Sequence, residues 1–471
     1  MAEESITDIM YFIKSLQERI NHLENKIQIL ERENAHFRYK LHQTELENNN
    51  LRERLSRYES PKKDSHNSHI PPSKQELSLN KSQRTKSLRE KSDKLSGGQF
   101  GHPGVSLDFS REPDKVENHL PNYCSECGED LSKLESSFLE ERWIIDIPPV
   151  LPEITQHLIH GKQCVCGCIV KASAPASVNG FVSYGSNLKA LVSYLNVEHH
   201  IPYKRLCEIL RDVFDLPVSE GSIYNMLESV KSSSTTIYEE IRRRIESSDV
   251  VGADETGVNI NGKQHWQWVF QTENLTYVYP DASRGKAAID KHFPKGLPRS
   301  WLVTDRHSSY FNMNVKGHQI CLAHILRELI YLEELEPEEP WPKKMIELLR
   351  EAIHKRKTVE WEKIEREDII KKFEVLIYGC LKCVNKDIEN LKKSLIKHRD
   401  NVFRFLLNPK IPYDNNASER SIRPLKLKQK VSGFFRTCNG AITYAIIHSL
   451  ADTARKNNQS PFFALKCIAL T

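Results

Sequence analysis

Three carboxylates far apart in the chain stand where they could work together. They are Asp254 in Val250-Val251-Gly252-Ala253-Asp254, Asp305 in Trp301-Leu302-Val303-Thr304-Asp305, and Glu419 in Asn415-Asn416-Ala417-Ser418-Glu419-Arg420. The first two each end a short apolar run of strand type, and Glu419 is followed by Arg420, Arg423, Lys426, Lys428, Lys430 and Arg436 with no acid between. Hard carboxylate oxygens take a divalent cation such as magnesium (or manganese), and neighbouring cations take a polyanion. The set therefore suits metal-dependent breaking and making of phosphodiester bonds, with no Ser, Tyr or Cys nucleophile required. A lone Asp at a strand end is more often a turn cap; the third acid and its cationic surroundings raise these two above that.

Residues 249–254, 264–271 and 275–280 read as three successive strands, with Asn261-Gly262 turning the first into the second. A helical run after Arg284-Gly285-Lys286 leads to a fourth strand ending at Asp305. This order suggests a mixed sheet of ribonuclease H type, in which the first and fourth strands lie side by side and their terminal acids meet. Alternation puts Asp254 and Glu255 on opposite faces, so only one of them faces Asp305. The stretch from Ala323 to about Leu407 reads as helices broken at Glu336-Pro337-Glu338-Glu339-Pro340-Trp341-Pro342, an all-helical insertion before Glu419. Cys321 with His324, and Cys380 with Cys383, read as packing or hydrogen-bonded residues sooner than as metal ligands. On a helix Glu419, Arg423, Lys426 and Lys430 share a face, which Pro424 should kink or end near Arg423. These cations would clamp phosphates, with Arg284 and Lys286 as weaker candidates and a merely solvated basic face as the alternative.

Upstream, a strict heptad runs from Ile6 to Leu55, with Ile at the first four first positions and Leu at most fourth positions. Opposite charges match across the seam, as in Lys26 with Glu31 and Lys40 with Glu45. That pattern predicts a parallel two-stranded coiled coil, hence a homodimer. A Ser-, Lys-, Pro- and Gly-rich stretch follows, a flexible basic linker. Cys124-Ser125-Glu126-Cys127-Gly128 and Cys164-Val165-Cys166-Gly167-Cys168 then suggest a structural zinc site. Four of the five thiols Cys124, Cys127, Cys164, Cys166 and Cys168 would close it; buried free thiols are the alternative. Helical spacing over Ser186–Val197 and Tyr203–Phe214 leads to Ser219, a good N-cap, and a helix from Glu220 through Ser229. Such a pair can set Ser222, Tyr224 and Asn225 in a DNA major groove, although plain core packing is the commoner use.

The 471 residues leave room for several domains, and 39% hydrophobic residues can form at least one sizeable core. The net charge of +5 is small for this length, so basic character is local. No apolar run reaches the roughly 18 residues of a membrane span, and no charged-then-apolar leader is seen, so a cytoplasmic protein with no membrane partner is expected. Eleven cysteines then read as reduced thiols and a metal site, not a disulfide framework.

The fold class expected is multidomain α+β. It comprises a coiled-coil helix over 1–59, a linker over 60–105, a zinc-binding domain over 106–178 and a helix-turn-helix-like DNA-binding segment over 179–247. A ribonuclease H-like catalytic domain over 248–322 and 411–471 is interrupted by the helical insertion 323–410.

The runs Asp254-Glu255-Thr256-Gly257, Arg284-Gly285-Lys286-Ala287-Ala288, Asp305-Arg306-His307-Ser308-Ser309-Tyr310, Cys321-Leu322-Ala323-His324-Ile325-Leu326-Arg327-Glu328-Leu329, Asn415-Asn416-Ala417-Ser418-Glu419-Arg420 and Lys428-Gln429-Lys430-Val431-Ser432-Gly433-Phe434-Phe435-Arg436 resemble, in order and spacing, the transposases of the insertion sequence 66 family. The resemblance covers roughly residues 100–460. It implies a helical N-terminus, a zinc knuckle and an Asp-Asp-Glu catalytic domain with Asp254, Asp305 and Glu419 as the triad. It further implies action on element ends and target DNA in a bacterial, nucleoid-associated setting, with accessory proteins of the same element. Two departures stand out: the second cysteine group lacks the usual two-residue spacing, and the chain stops soon after Arg455-Lys456, where relatives carry a further tail. A DNA-binding regulator without catalysis, or a structure-specific nuclease, are the competing readings.

Overall fold

The segment Ala2–Glu59 contains neither Gly nor Pro, and in the computed structural model it forms one uninterrupted helix, α1. The structure describes residues 2–59, 67–68, 112–175, 178, 180–379 and 385–470. Most of the expected linker, together with Cys380 and Cys383, lies outside them. Along α1 the heptad residues Ile20, Leu23, Ile27, Leu30, Phe37 and Leu41 are all exposed. Residues 112–175 carry one short hairpin, β1 (Gly161–Gln163) with β2 (Ile169–Lys171), and add no buried apolar residue to the core.

Helix α2 (Ser186–Ser193) runs into a π-helical turn over Tyr194–Glu198, followed by α3 (Tyr203–Phe214) and α4 (Glu220–Glu246). Ser219 caps α4 as its sequence predicts, accepting from the Ser222 amide at 3.1 Å. The helix then runs 27 residues, well past the expected end near Ser229. Its Ser232-Ser233-Ser234-Thr235-Thr236 run suggests a stop, yet the hydroxyls of Ser232, Ser234 and Thr235 bond to carbonyls four residues back and leave the ladder intact. Ile223, Met226, Leu227, Val230, Tyr238, Ile241 and Ile245 bury one stripe, and the Tyr238 hydroxyl donates to the Val278 carbonyl of the sheet at 2.7 Å. The helical segment and the sheet thus share one buried cluster, with no break in packing at residue 247.

The sheet has five strands: β3 (Val250–Ile260), β4 (Lys263–Gln271), β5 (Thr276–Asp281), β6 (Leu297–Thr304), which follows α5 (Lys286–His292), and β7 (Val315–Ile320), which follows the single turn α6 (Ser308–Phe311). Their spatial order is β5-β4-β3-β6-β7. The first three form an antiparallel meander, turned between β3 and β4 by Asn261 and Gly262, both at positive φ. β6 lies parallel to β3, as the sequence suggests, and β7 parallel to β6. β7 carries no strand signal of its own, because Lys316, Gly317 and His318 interrupt its alternation. It is held by fit: a Cβ on Gly317 would lie 2.4 Å from the Trp301 ring.

Among the described residues, five α-helices connect β7 to the last part of the chain: α7 (Leu322–Leu335), α8 (Pro340–Thr358), α9 (Arg366–Tyr378), α10 (Lys386–Lys397) and α11 (Arg404–Leu407). The break between α7 and α8 falls where the Pro-rich run predicts it. The described residues fall into two compact units. One comprises the N-terminal helix with 324–351 and 371–394; the other holds the sheet together with 352–370 and 395–410. The insertion is therefore divided between them. Buried Gln319 of β7 ties residues 402–405 to the sheet, donating to the Val402 carbonyl and accepting from the Phe405 amide, each at 2.9 Å.

α12 (Asn416–Ser432), α13 (Cys438–Lys456) and α14 (Pro461–Leu470) complete the fold. α13 covers the sheet edge: Ser449 accepts from the Val278 amide at 2.9 Å and Thr453 from the Thr276 amide at 3.0 Å, satisfying donors that edge strand β5 would otherwise leave open. Among the described residues no helix is long and apolar enough to cross a membrane.

Candidate active site

The parallel register of β3 and β6 pairs Val250 with Trp301 and Gly252 with Val303. Two residues further along stand Asp254, inside β3, and Asp305, just past the end of β6, so the pairing carries both acids to one height at the end of the β3–β6 ladder. Gly252 decides which face they share with the third acid. A Cβ there would meet Gln271 at 2.4 Å, Ser418 at 2.6 Å and Asn415 at 3.0 Å, so the start of α12 lies directly on this glycine. Alternation then puts Asp254 on the face that carries α12, with Glu419 one residue beyond Ser418.

Directional bonds hold that approach. Asn415 donates its side-chain amide to the Ala253 carbonyl at 2.7 Å, and its Oδ1 accepts from the Ser418 hydroxyl at 2.6 Å. Gln271 donates to Ser418 at 3.3 Å. The Asn415 backbone amide donates to the buried Cys321 thiol at 3.2 Å, and the Cys321 amide to the Thr304 carbonyl at 2.8 Å. The body of β3 at Ala253, the end of β6 at Thr304 and the start of α12 are thus pinned together. Cys321 serves as an acceptor in this clasp, in keeping with its reading as a packing residue.

The carboxylates act on one another. Burial, then the charges of Glu255 and Asp305, and further that of Glu419, push the Asp254 carboxyl well above the ordinary carboxylate range. Glu255 points away from this face: its side chain is 1% exposed, pairs with Arg284 at 2.8 Å and accepts from the Tyr310 hydroxyl. Asp254 is therefore the member of that neighbouring pair left for the site. Among the described residues no group of three or more His, Cys, Asp or Glu side chains is gathered into a metal cluster. The donor chemistry nonetheless suits a hard divalent ion, since half-buried, mutually repelling carboxylate oxygens are what such an ion neutralises.

A stability prediction follows. The folded state raises the Asp254 pKa above its unfolded value, so its ionised form opposes folding; the penalty is full above the folded pKa and absent below the ordinary carboxylate range. In chelator-containing buffer, Asp254→Asn should raise the unfolding temperature at neutral pH and lose that gain as the pH falls through the carboxylate range. Thermal unfolding across pH checks this, and an equal gain at every pH would contradict it.

The cationic residues divide. Arg420, Arg423, Lys426 and Lys430 are exposed on α12, with Arg423 placed 3.9 Å from Glu419. The helix passes through Pro424 to Ser432, so this face is longer than the proline suggests. Lys428 is turned inward, where its ammonium donates to the Asn196 carbonyl at 3.2 Å and burial lowers its pKa to about 8. It shares the buried face of α12 with Ser421 and Leu425, which removes it from the phosphate-facing strip expected from sequence. Arg284 is committed to Glu255 and lies 4.5 Å over the Trp266 ring, while Lys286 pairs with Asp290 at 2.6 Å.

Early in α4, Ser222 faces Ser219 and Tyr184 at 3.0 and 3.4 Å, the Tyr224 hydroxyl accepts from Asn439 at 2.8 Å, and Asn225 is exposed. The cysteines form two separate turns. Backbone amides of Cys127, then Glu126, lower the Cys124 pKa; the amide of Cys168, then the neighbouring thiols Cys164 and Cys168, lower that of Cys166. Gly128 and Gly167 take positive φ to close these turns.

Sequence reasoning passed over the clasp formed by Gly252, Gln271, Asn415 and Ser418. One signal was present: a glycine inside an apolar strand marks a close approach by another backbone.

Residues 182–443, more than half of the chain, match the family model described as Transposase IS66 family. The span takes in all three acids and the clasp. Comparison with curated proteins finds no match.

Proposed function

The chain belongs to the IS66 transposase family, and from that premise we propose that it cleaves the ends of an insertion sequence and joins the freed 3′-hydroxyls to target DNA at a site built on Asp254, Asp305 and Glu419. The observation that carries this reading is the pairing of β3 with β6 under the start of α12, which brings Asp254 within β3 and Asp305 just past β6 towards the helix that bears Glu419. The strand order, an antiparallel meander continued by parallel strands on its first member, supports a ribonuclease H-like catalytic domain.

Asp254, Asp305 and Glu419 would hold magnesium or manganese. Such ions polarise the scissile phosphate and activate the attacking water or 3′-hydroxyl. Around them Arg420, Arg423, Lys426 and Lys430 grip the phosphate backbone without reading sequence. Asn415, Ser418 and Gln271 keep the third acid over the other two. Asn225, exposed early in α4, is the candidate left most open to a base edge.

The exposed apolar seam of α1 supports a coiled-coil homodimer, and two active sites suit an element with two ends. The two cysteine turns, whose amides favour thiolates, support a structural zinc taken by four of Cys124, Cys127, Cys164, Cys166 and Cys168. Accessory proteins of the element are further expected partners.

Labelled element ends incubated with the full chain in magnesium test the reading by scoring 3′-end release and strand transfer together. Both products are expected. Release without transfer would favour a structure-specific nuclease, and binding without either would favour a DNA-binding regulator.

A further inference from the structure

Behind α12, on the side away from Glu419, lies a buried polar seam that none of the chemistry above uses. His448 of α13 has a side chain 1% exposed and stands between two acceptors: Nδ1 is 3.2 Å from Glu198 Oε1 and Nε2 is 3.1 Å from the Ser421 carbonyl. A carbonyl only accepts, and so does an ionised carboxylate, so both ring nitrogens carry protons and the ring is an imidazolium. Burial alone would lower the His448 pKa, but the bond and charge of Glu198 outweigh it and leave it raised.

Other charged and titratable groups close the seam. Arg455 pairs with Glu198 and lies 3.2 Å from Asp452. Asp452 accepts from the hydroxyls of Ser421 at 2.9 Å and Thr276 at 2.7 Å. His200 is buried nearby, and the Tyr444 ring stacks on His448 with centroids 5.6 Å apart. Lys428, two helical turns beyond Ser421 on the same face, reaches the Asn196 carbonyl. Asn196 and Glu198 both belong to the π-helical turn that ends α2, where carbonyls are left without a helical donor.

We propose that this seam is a positioning device for Glu419, and that His448 is its positioning residue. An apolar contact lets a helix slide or rotate by a fraction of a turn at little cost, whereas bonds to one named carbonyl, one hydroxyl and one ammonium admit a single register. Ser421 follows Glu419 by two residues, about 200° around the helix, so a grip from behind sets how far Glu419 reaches towards the two aspartates. The inference rests on the reading of Glu419 as the third acid.

The test compares His448→Leu, His448→Gln and Ser421→Ala in the full chain. The glutamine amide can still donate to the Ser421 carbonyl; leucine cannot. In His448→Leu the turnover number for end cleavage should fall about 10- to 100-fold, the order expected for a misplaced catalytic group, with KM for DNA unchanged. Amide exchange should quicken over residues 416–423 alone. His448→Gln should restore both towards the parent, and Ser421→Ala should lose turnover by a few-fold.

Parental turnover in His448→Leu, an equal loss in His448→Gln, or exchange quickened evenly across the sheet would overturn the proposal. If His448→Leu does not fold, Ser421→Ala decides, and parental turnover and exchange there also overturn it. A parent chain that cuts no labelled end defeats the catalytic reading instead, while the exchange contrast between variants still decides the positioning claim.

Discussion

Asp305→Ala is expected to abolish cleavage of labelled element ends while leaving their binding intact. Asp305 directly follows β6 and contributes to the field that raises the Asp254 pKa. Removing it takes away one of the three carboxylates proposed to hold the metal, and the loss of rate should be on the order of 10³ or more, as when a preorganised charge-stabilising group is deleted. Its structural duty is small: Oδ1 accepts from the His307 amide at 2.9 Å in a local turn. The fold should therefore persist. Because the variant also removes a negative charge beside bound phosphates, affinity should hold or rise, and a mobility-shift assay run alongside the cleavage assay separates the two effects. A variant that cuts at the parental rate would sink the Asp-Asp-Glu reading.

Gly252→Ala should be nearly as damaging although it touches no acid. The added methyl would lie 2.4 Å from the Gln271 amide and 2.6 Å from the Ser418 hydroxyl, both parts of the clasp beneath α12. Neither can withdraw without giving up a bond that positions the helix. Overpacking of this kind costs about 1–3 kcal/mol. The displaced helix carries Glu419 with it, so cleavage should fall by about 10²-fold, more than the stability loss explains. Gly185→Ala is the matched control, since its added carbon meets nothing within 4 Å and its φ is −70°. Thermal unfolding and cleavage rates on the two variants check the contrast; equal behaviour would show that the close approach at Gly252 does not position the helix.

The same residues show how far the sequence could be read. The strand stop at Asp305, the Asn261-Gly262 turn, the Ser219 cap and the break before Trp341 were legible because each depends on a few neighbouring residues. The stop expected at Asp254 is overturned: β3 runs through it to Ile260, because β4 pairs with it from Gly252 onward. So was the side-by-side placing of β3 and β6, which follows from strand order. The long helix at the N-terminus followed from its heptad and its lack of Gly and Pro. The length of α4 was misjudged because its Ser/Thr run favours a stop unless the hydroxyls turn back onto the helix. β7 went unseen because its stability comes from Gly317 against Trp301.

By itself the sequence determined which side chains can do phosphodiester chemistry and which local elements carry them. Periodicity, turn residues and charge are properties of a segment, and they survive without its neighbours. Tertiary structure alone decided which residues of those elements face the work. α12 packs with Lys428 inward, Glu255 takes Arg284 out of reach, and Asn415 lands on the Ala253 carbonyl. Each of these outcomes is a contact across 29 to 232 residues of chain, fixed by burial and by hydrogen-bond partners that no local pattern encodes.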